Sequence, residues 1–206
     1  MNFRRIFLAL ALGVTLPAFA AAQSNRPMVG MSYQWGVPYG DTKAFTDNDS
    51  WIGLGLSSNW MKGDHASVGI YLGWNEFYQR TTETLEIQNG TIFGNQYRDY
   101  NIFPMLLTGK IYIGNVDKRR RMFIGVGAGA YYVHQTFDIG LSTLYEDNWH
   151  FGVAPEAGFL INGFRGTGVE LAARYHYPMS GGTYLQGKAQ SPQYLTVGLG
   201  FYSMPF

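Results

Sequence analysis

The sequence contains no cysteine and little charge. Asp, Glu, Lys and Arg together make up 14% of its 206 residues, where about 25% is typical of a globular domain. Without cysteine, disulfides are excluded as a source of stability. The scarcity of charge, together with 27 glycines, argues against a helical bundle, because glycine is a weak helix former.

The chain also lacks the long apolar run of a membrane-spanning helix. The run at residues 6–16 is only about half as long as the roughly twenty residues that such a helix needs. Arg4 and Arg5 precede this run, and small residues follow it at 18–22 (AFAAA). That order is typical of a secretory signal peptide. We predict a signal peptide over residues 1–22 and one domain over residues 23–206.

An excess of positive charge is absent as well. The whole chain has a formal net charge of +1, and loss of Arg4 and Arg5 with the signal peptide leaves −1. Proteins that bind nucleic acid concentrate basic residues on one face. We therefore expect no nucleic-acid partner.

Aromatic residues, in contrast, are abundant at 17% of the chain and follow an alternating pattern. In residues 194–202 (YLTVGLGFY) every second residue is apolar, and those between are tyrosine, threonine or glycine. Because successive side chains of a strand point to opposite faces, this segment has one apolar and one small or polar face. The apolar set is Leu195, Val197, Leu199 and Phe201.

Eight segments share this alternation, and polar connections that are alternately long and short separate them. The segments are residues 28–37, 51–60, 67–77, 98–113, 122–135, 149–161, 168–177 and 194–202. An even number of strands, short turns at one end and long loops at the other are typical of outer-membrane barrels. We predict an all-β fold, an eight-stranded antiparallel up-and-down transmembrane β-barrel.

The apolar faces are predicted to point outward to lipid, since only helices and closed barrels satisfy every backbone polar group in a membrane. Val169 and Leu171 join Leu195, Val197, Leu199 and Phe201 in this set. The alternative is a secreted lipocalin-like barrel with its apolar face inside. That barrel would expose glycine-rich, almost uncharged faces to water, which disfavours it.

In two segments the strand pattern is ambiguous. Residues 102–107 (IFPMLL) are apolar on both faces, and we place Phe103, Met105 and Leu107 outward so that Lys110 points inward. Pro155 lies inside the sixth segment and lacks the amide that a central strand donates. We expect a β-bulge at Pro155.

Four segments carry a resemblance to the small outer-membrane β-barrel superfamily that includes the outer membrane protein A, W and X types. They are residues 123–132 (FIGVGAGAYY), 151–158 (FGVAPEAG), 169–177 (VELAARYHY) and 194–202. The resemblance implies location in the outer membrane, with outer-membrane lipids, lipopolysaccharide and, during insertion, the barrel-assembly machinery as partners. In many members of the superfamily the last strand ends on an aromatic residue of the outward set. The chain departs from this pattern at Phe206, whose even number does not match the odd-numbered outward residues of the last segment.

A few charged and titratable side chains fall on the inward faces: Lys110, Glu156, Glu170 and Arg174, with His150 and His176. Charges inside a narrow lumen must be paired or hydrated. The same residues could line a selective pore. Eight strands enclose only enough room for side chains or one small ligand, so we expect a salt-bridged plug.

Catalytic, metal-binding and cofactor-binding motifs are not found. His176 and Ser180 faintly resemble the His and Ser of the outer-membrane lipid A deacylases. At about 3.3 Å per residue, however, a spacing of four places them roughly 13 Å apart in a strand.

We therefore predict a non-enzymatic protein whose lumen is plugged by charged and aromatic side chains. Its role is structural or in interactions through the extracellular loops, where an envelope protein is a candidate partner. The alternatives are a narrow passive channel for small or apolar solutes and, third, a lipid A-modifying enzyme.

Overall fold

A computed structural model describes residues 27–87, 90–114, 119–139, 142–163, 166–182 and 189–203. Each strand pairs antiparallel with the next, and the last pairs with the first to close a barrel. The eight strands are β1 (Met28–Pro38), β2 (Ile52–Lys62), β3 (Ala66–Ile87), β4 (Gly90–Ile113), β5 (Arg120–Ile139), β6 (Ser142–Asn162), β7 (Thr167–Pro178) and β8 (Tyr194–Ser203). The predicted strand number and topology are confirmed.

Alternation along each strand separates a lumen face from an outer face. Leu107 and Phe201 are 71% and 72% exposed on the outside, whereas Tyr131 and Tyr194 are fully buried inside. The ambiguous segment follows the predicted register, since Leu106 is buried beside the exposed Leu107. The glycine-rich faces therefore line the lumen.

Strand length differs between the two sides of the barrel. Strands β3 to β6 have 20 to 24 residues, whereas β1, β2, β7 and β8 have 10 to 12. Residues 79–97, a polar stretch whose Asn-Gly pair is compatible with an extended hairpin, do pair as strands, for example Arg80↔Tyr97. Residues 136–147, which polarity predicts to be a loop, are also mostly strand, for example Thr136↔Tyr145. These segments have no continuous apolar face, so their polar sequence resembles that of a loop. We call this four-stranded extension the tall wall.

The first connection contains a short helix, α1 (Gly40–Phe45), instead of the predicted irregular loop. Gly40 has φ +52°, a conformation that favours glycine. Phe45 and Thr46 are buried in the mouth of the barrel, so this connection folds inward and closes over the lumen. In the described parts of the chain, no helix has both the length and the hydrophobicity for a membrane crossing.

Pro155 does not produce the predicted bulge. The pairs Val153↔Tyr177 and Glu156↔Arg174 keep one register, so no extra residue enters β6. The ladder to β7 is interrupted for two residues instead, which accommodates the missing amide. Phe206, where the sequence departs from the family pattern, lies outside the described residues, as does the whole of the predicted signal peptide, residues 1–22.

Gly129→Ala should destabilise the barrel by about 1–3 kcal/mol, the usual cost of overpacking. A Cβ at this lumen position would overlap the carbonyl oxygen of Met105 and lie 3.0 Å from Cα of Leu106. Gly109→Ala is the matched control, because nothing lies within 4 Å of its added Cβ. Urea unfolding of both variants in detergent or lipid measures the difference, and equal stability would contradict the tight fit of β4 against β5.

Candidate functional site

Four charged side chains meet in the middle of the lumen and form what we call the charge layer: Lys110, Glu156, Glu170 and Arg174. Strand register places Lys110, Gly125, Glu156 and Arg174 side by side on β4 to β7. Gly125 leaves the necessary room, since a Cβ there would lie 3.0 Å from Oε1 of Glu156 and 3.1 Å from Cγ of Lys110.

Glu156 is the centre of the charge layer. Its Oε2 accepts a hydrogen bond of 2.5 Å from Nη2 of Arg174, and its Oε1 lies 3.5 Å from Nζ of Lys110. Nζ of Lys110 is also 3.7 Å from Oε1 of Glu170. Two carboxylates thus face two cations, which offsets the high cost of removing each charge from water.

Aromatic rings cover both cations. Cζ of Arg174 is 3.6 Å from the ring centroid of Tyr71, and Nζ of Lys110 is 4.4 Å from that of Phe123. The Tyr71 hydroxyl in turn accepts a hydrogen bond of 2.7 Å from Nε2 of Gln34. Cation–π contacts are strongest when they are desolvated, so these rings stabilise the two buried cations.

Two apolar clusters enclose the charge layer from above and below. The lower cluster lies at the short-turn end and consists of Met28, Tyr112, Phe123, Leu160 and Tyr202. The upper cluster lies toward the mouth and consists of Phe45, Tyr71, Phe77, Tyr100, Ile102, Leu106, Tyr131, Val133, Ala154 and Tyr194. A cavity of about 20 Å³ beside Arg174, also lined by Ser32, Gly55 and Gly198, has room for about one water molecule.

The two histidines lie apart from these ion pairs. His176 is fully buried in the upper part of the lumen, where its ring stacks on Tyr194 at 4.2 Å between centroids. Its Nδ1 is 3.2 Å from the hydroxyl of Tyr131. His150 lies higher, with Nδ1 3.0 Å from the carbonyl oxygen of Met179. Sequence reasoning grouped all six residues, but the structure joins only the four charged ones.

Ser180 is not among the described contacts of His176. Ser180 is exposed, and the described contacts of His176 are to Tyr131, Tyr194, Tyr71 and Thr196. A serine and a histidine must approach within hydrogen-bonding distance to act together. Among the described residues, no group of three or more His, Cys, Asp or Glu could hold a metal ion.

On the outer face an aromatic row marks where the apolar band ends. Successive ring centroids lie 6.4, 5.9 and 5.2 Å apart from β3 to β6, in the order Trp74, Phe103, Tyr132 and Trp149. Below the row, Leu171, Leu199 and Phe201 are exposed, while Val169, Leu195 and Val197 on the same face are half-buried.

Polar residues replace the apolar band above the aromatic row. Burial and the neighbouring Glu76 raise the pKa of Asp99 to about 6. Burial would also raise the pKa of Asp147, but hydrogen bonds from Tyr132 and His134 hold it below its usual value. The tall wall therefore carries carboxyl groups beyond the aromatic row.

The sequence predicts aromatic side chains in the lumen, but it did not group them into the upper cluster and did not predict α1. Tyr71, Tyr131 and Tyr194 all fall on the inward register, and that parity is the signal that identifies them. Phe45 carries no such signal, because it lies in a connection and reaches the lumen only through α1.

Comparison with known proteins identifies the fold. Neither a protein-family model nor a curated protein matches the chain in sequence. Among solved structures, Ail, the attachment invasion locus protein of Yersinia pestis, in complex with the heparin analogue sucrose octasulfate, is 12% identical with a TM-score of 0.53; the match covers 87% of this chain and 97% of Ail.

Two further structures agree. Neisserial surface protein A is 8% identical with a TM-score of 0.55, over 86% of this chain and 95% of that one. The outer membrane protein OprG from Pseudomonas aeruginosa is 16% identical with a TM-score of 0.51, over 87% of this chain and 97% of that one. The predicted resemblance to small eight-stranded outer-membrane β-barrels is confirmed at the level of fold.

Arg174→Met should destabilise the protein by about 3–5 kcal/mol, because it leaves the buried Glu156 with only the longer contact to Lys110. Lys43→Ala is the control: Lys43 pairs with Asp47 at 3.6 Å on the exposed surface, and such pairs contribute little. Equilibrium unfolding in lipid vesicles distinguishes the two. Similar stabilities for both variants would mean that the charge layer is hydrated and contributes nothing to the fold.

Proposed function

We propose that the mature chain is an integral outer-membrane β-barrel with a closed lumen and no enzymatic activity, which has a structural or interaction role through its extracellular end. The observation that carries this proposal is the enclosure of the charge layer between two apolar clusters. A lumen filled in this way gives solutes no continuous aqueous path. The surfaces that remain available lie at the two ends.

The apolar outer band supports insertion into a membrane. Residues such as Met31, Leu107 and Phe201 are 61–72% exposed, and a continuous band of this kind is unfavourable in water. Aromatic residues border the band, as at a membrane interface. Val169, Leu171, Leu195, Val197, Leu199 and Phe201 then contact outer-membrane lipids and lipopolysaccharide, and the barrel-assembly machinery inserts the chain.

The orientation follows from the strand lengths. Outer-membrane barrels place short turns in the periplasm and longer segments outside, so the tall wall and α1 are extracellular. The predicted signal peptide is consistent with export to this location, since it would be removed before insertion.

The tall wall offers an interaction surface for an envelope or extracellular protein. Its outer strands extend past the neighbouring strands: in the described residues β2 pairs with β3 only as far as Glu76, and β7 pairs with β6 only from Gly152. At the base of these edges Asn48 donates to the carbonyl oxygen of Tyr78, and the amide of Met179 donates to the carbonyl oxygen of Phe151. Unpaired strand edges bind extended segments of other chains. Tyr145, 71% exposed near the β6 edge, adds an aromatic contact.

The ligand seen in the Ail structure does not fit this end of the chain. Sucrose octasulfate is a polyanion, whereas Asp49, Glu76, Asp99 and Asp147 make the described extracellular end predominantly acidic. Like charges repel across an interface. The proposed partner is therefore a protein segment without strong negative charge.

The purified protein in planar bilayers should show no sustained unitary conductance, because the lumen is filled. Sustained steps that change in Glu170→Gln or Arg174→Ala would instead indicate a channel lined by the charge layer. Release of fatty acid from lipopolysaccharide, abolished by His176→Ala, would indicate a lipid-modifying enzyme.

Leu199→Arg should destabilise the membrane-inserted protein by about 2–4 kcal/mol, the cost of arginine near the bilayer midplane. Tyr145→Arg introduces the same side chain on the outer face of the tall wall, beyond the aromatic row, and should have little effect. Urea unfolding in phosphatidylcholine vesicles compares the two. If both variants are equally stable, Leu199 does not face lipid.

A further inference from the structure

Basic side chains are concentrated at the short-turn end of the barrel. Lys62 ends β2, Arg120 begins β5 and Arg119 directly precedes it; all three are exposed, as is His65 in the β2–β3 turn. In the described part of these two turns, Asp64 is the one carboxylate. We call Lys62, His65, Arg119 and Arg120 the basic rim. It has the opposite charge to the tall wall.

Backbone hydrogen bonds hold the rim together. The amide of Tyr112 donates to the carbonyl of His65, and that of Asn162 donates to the carbonyl of Arg119, both at 2.8 Å. The buried Arg121 donates to the backbone carbonyl of Asp64, and its guanidinium lies 4.8 Å from the ring centroid of Tyr112. These contacts join the β2–β3 turn and Arg119 to the described ends of the neighbouring strands.

Two rim residues are the last outward positions of their strands, directly beside the apolar band. Arg120 pairs with Ile161, which is 41% exposed. The next outward residue along β5, toward the membrane, is Met122, which is 50% exposed. Lys62 pairs with Ala66, which pairs with the 58%-exposed Ile111. The long stems of Lys and Arg can lie along apolar surface while their charged ends reach the polar boundary.

We infer that the basic rim binds anionic phospholipid headgroups, such as phosphatidylglycerol, of the periplasmic leaflet; this inference rests on the proposed membrane location and orientation. The outward placement favours lipid over the cell wall, because Lys62 and Arg120 continue the lipid-facing stripe instead of pointing away from it. Guanidinium and ammonium groups donate hydrogen bonds to phosphate oxygens. The rim and the tall wall thereby fix opposite ends of the protein at chemically different membrane surfaces.

The test uses the mature protein in nanodiscs of equal phosphatidylglycerol and phosphatidylcholine. After extraction in mild detergent, mass spectrometry measures the ratio of the two lipids retained. Wild type should favour phosphatidylglycerol, and Lys62→Ala/Arg120→Ala should reduce that preference roughly fivefold or more at low salt. Lys43→Ala/Arg80→Ala, which removes one exposed lysine and one exposed arginine at the extracellular end, should leave it unchanged.

The outcomes separate the two proposals. A chain that does not enter the nanodisc overturns the proposed membrane function. A chain that inserts but retains both lipids equally, or whose preference is the same in both double variants, overturns the role of the basic rim. Sedimentation with purified cell wall that is lost in Lys62→Ala/Arg120→Ala, at an unchanged lipid ratio, would assign the rim to the cell wall instead.

Discussion

Closure of the sheet between β1 and β8 is the constraint on which the rest of this structure depends. A barrel has no free edge within its closed part, so backbone polar groups there pair between strands, apart from short interruptions such as the one at Pro155. Eight strands leave an interior only wide enough for side chains. The side chain at each inward position must therefore match the space available. For this reason glycine occurs at positions 125 and 129, where a Cβ would contact atoms of a neighbouring strand. The same narrowness forces any inward charge into contact with another charge.

The charge layer follows from that narrowness. Glu156 lies between Arg174 and Lys110 because strand register places all three at one level of the wall. The apolar clusters above and below exclude water, and this makes the pairing necessary, since an unpaired charge there would be very costly. A pore would require the opposite arrangement, with hydrated charges and no apolar closure. The interior is therefore best explained by stability, and the interactions with other molecules are assigned to the ends.

The two ends differ in both shape and charge. At one end β3 to β6 continue beyond the aromatic row as an acidic sheet whose outer strands extend past their neighbours, while α1 closes the mouth. At the other end the turns are short and basic. An exposed edge and an acidic surface suit a protein partner, whereas basic side chains beside an apolar band suit anionic headgroups. Charge asymmetry of this kind would hold the barrel in one orientation relative to the two leaflets.

The sequence by itself determined which residues face inward and which face outward, the number of strands and the presence of four charges in the lumen. Alternation is a local property: within each strand the outward residues are either all odd-numbered, as Met31 and Phe201 are in β1 and β8, or all even-numbered. Only the tertiary structure decided how far the strands extend, that Phe45 enters the lumen on α1, that Pro155 interrupts a ladder without a bulge, and that His176 stacks on Tyr194 apart from the ion pairs. Those features depend on neighbours distant in sequence. A polar segment has the composition of a loop whether or not another strand pairs with it. Only closure of the barrel decides which side chains meet inside.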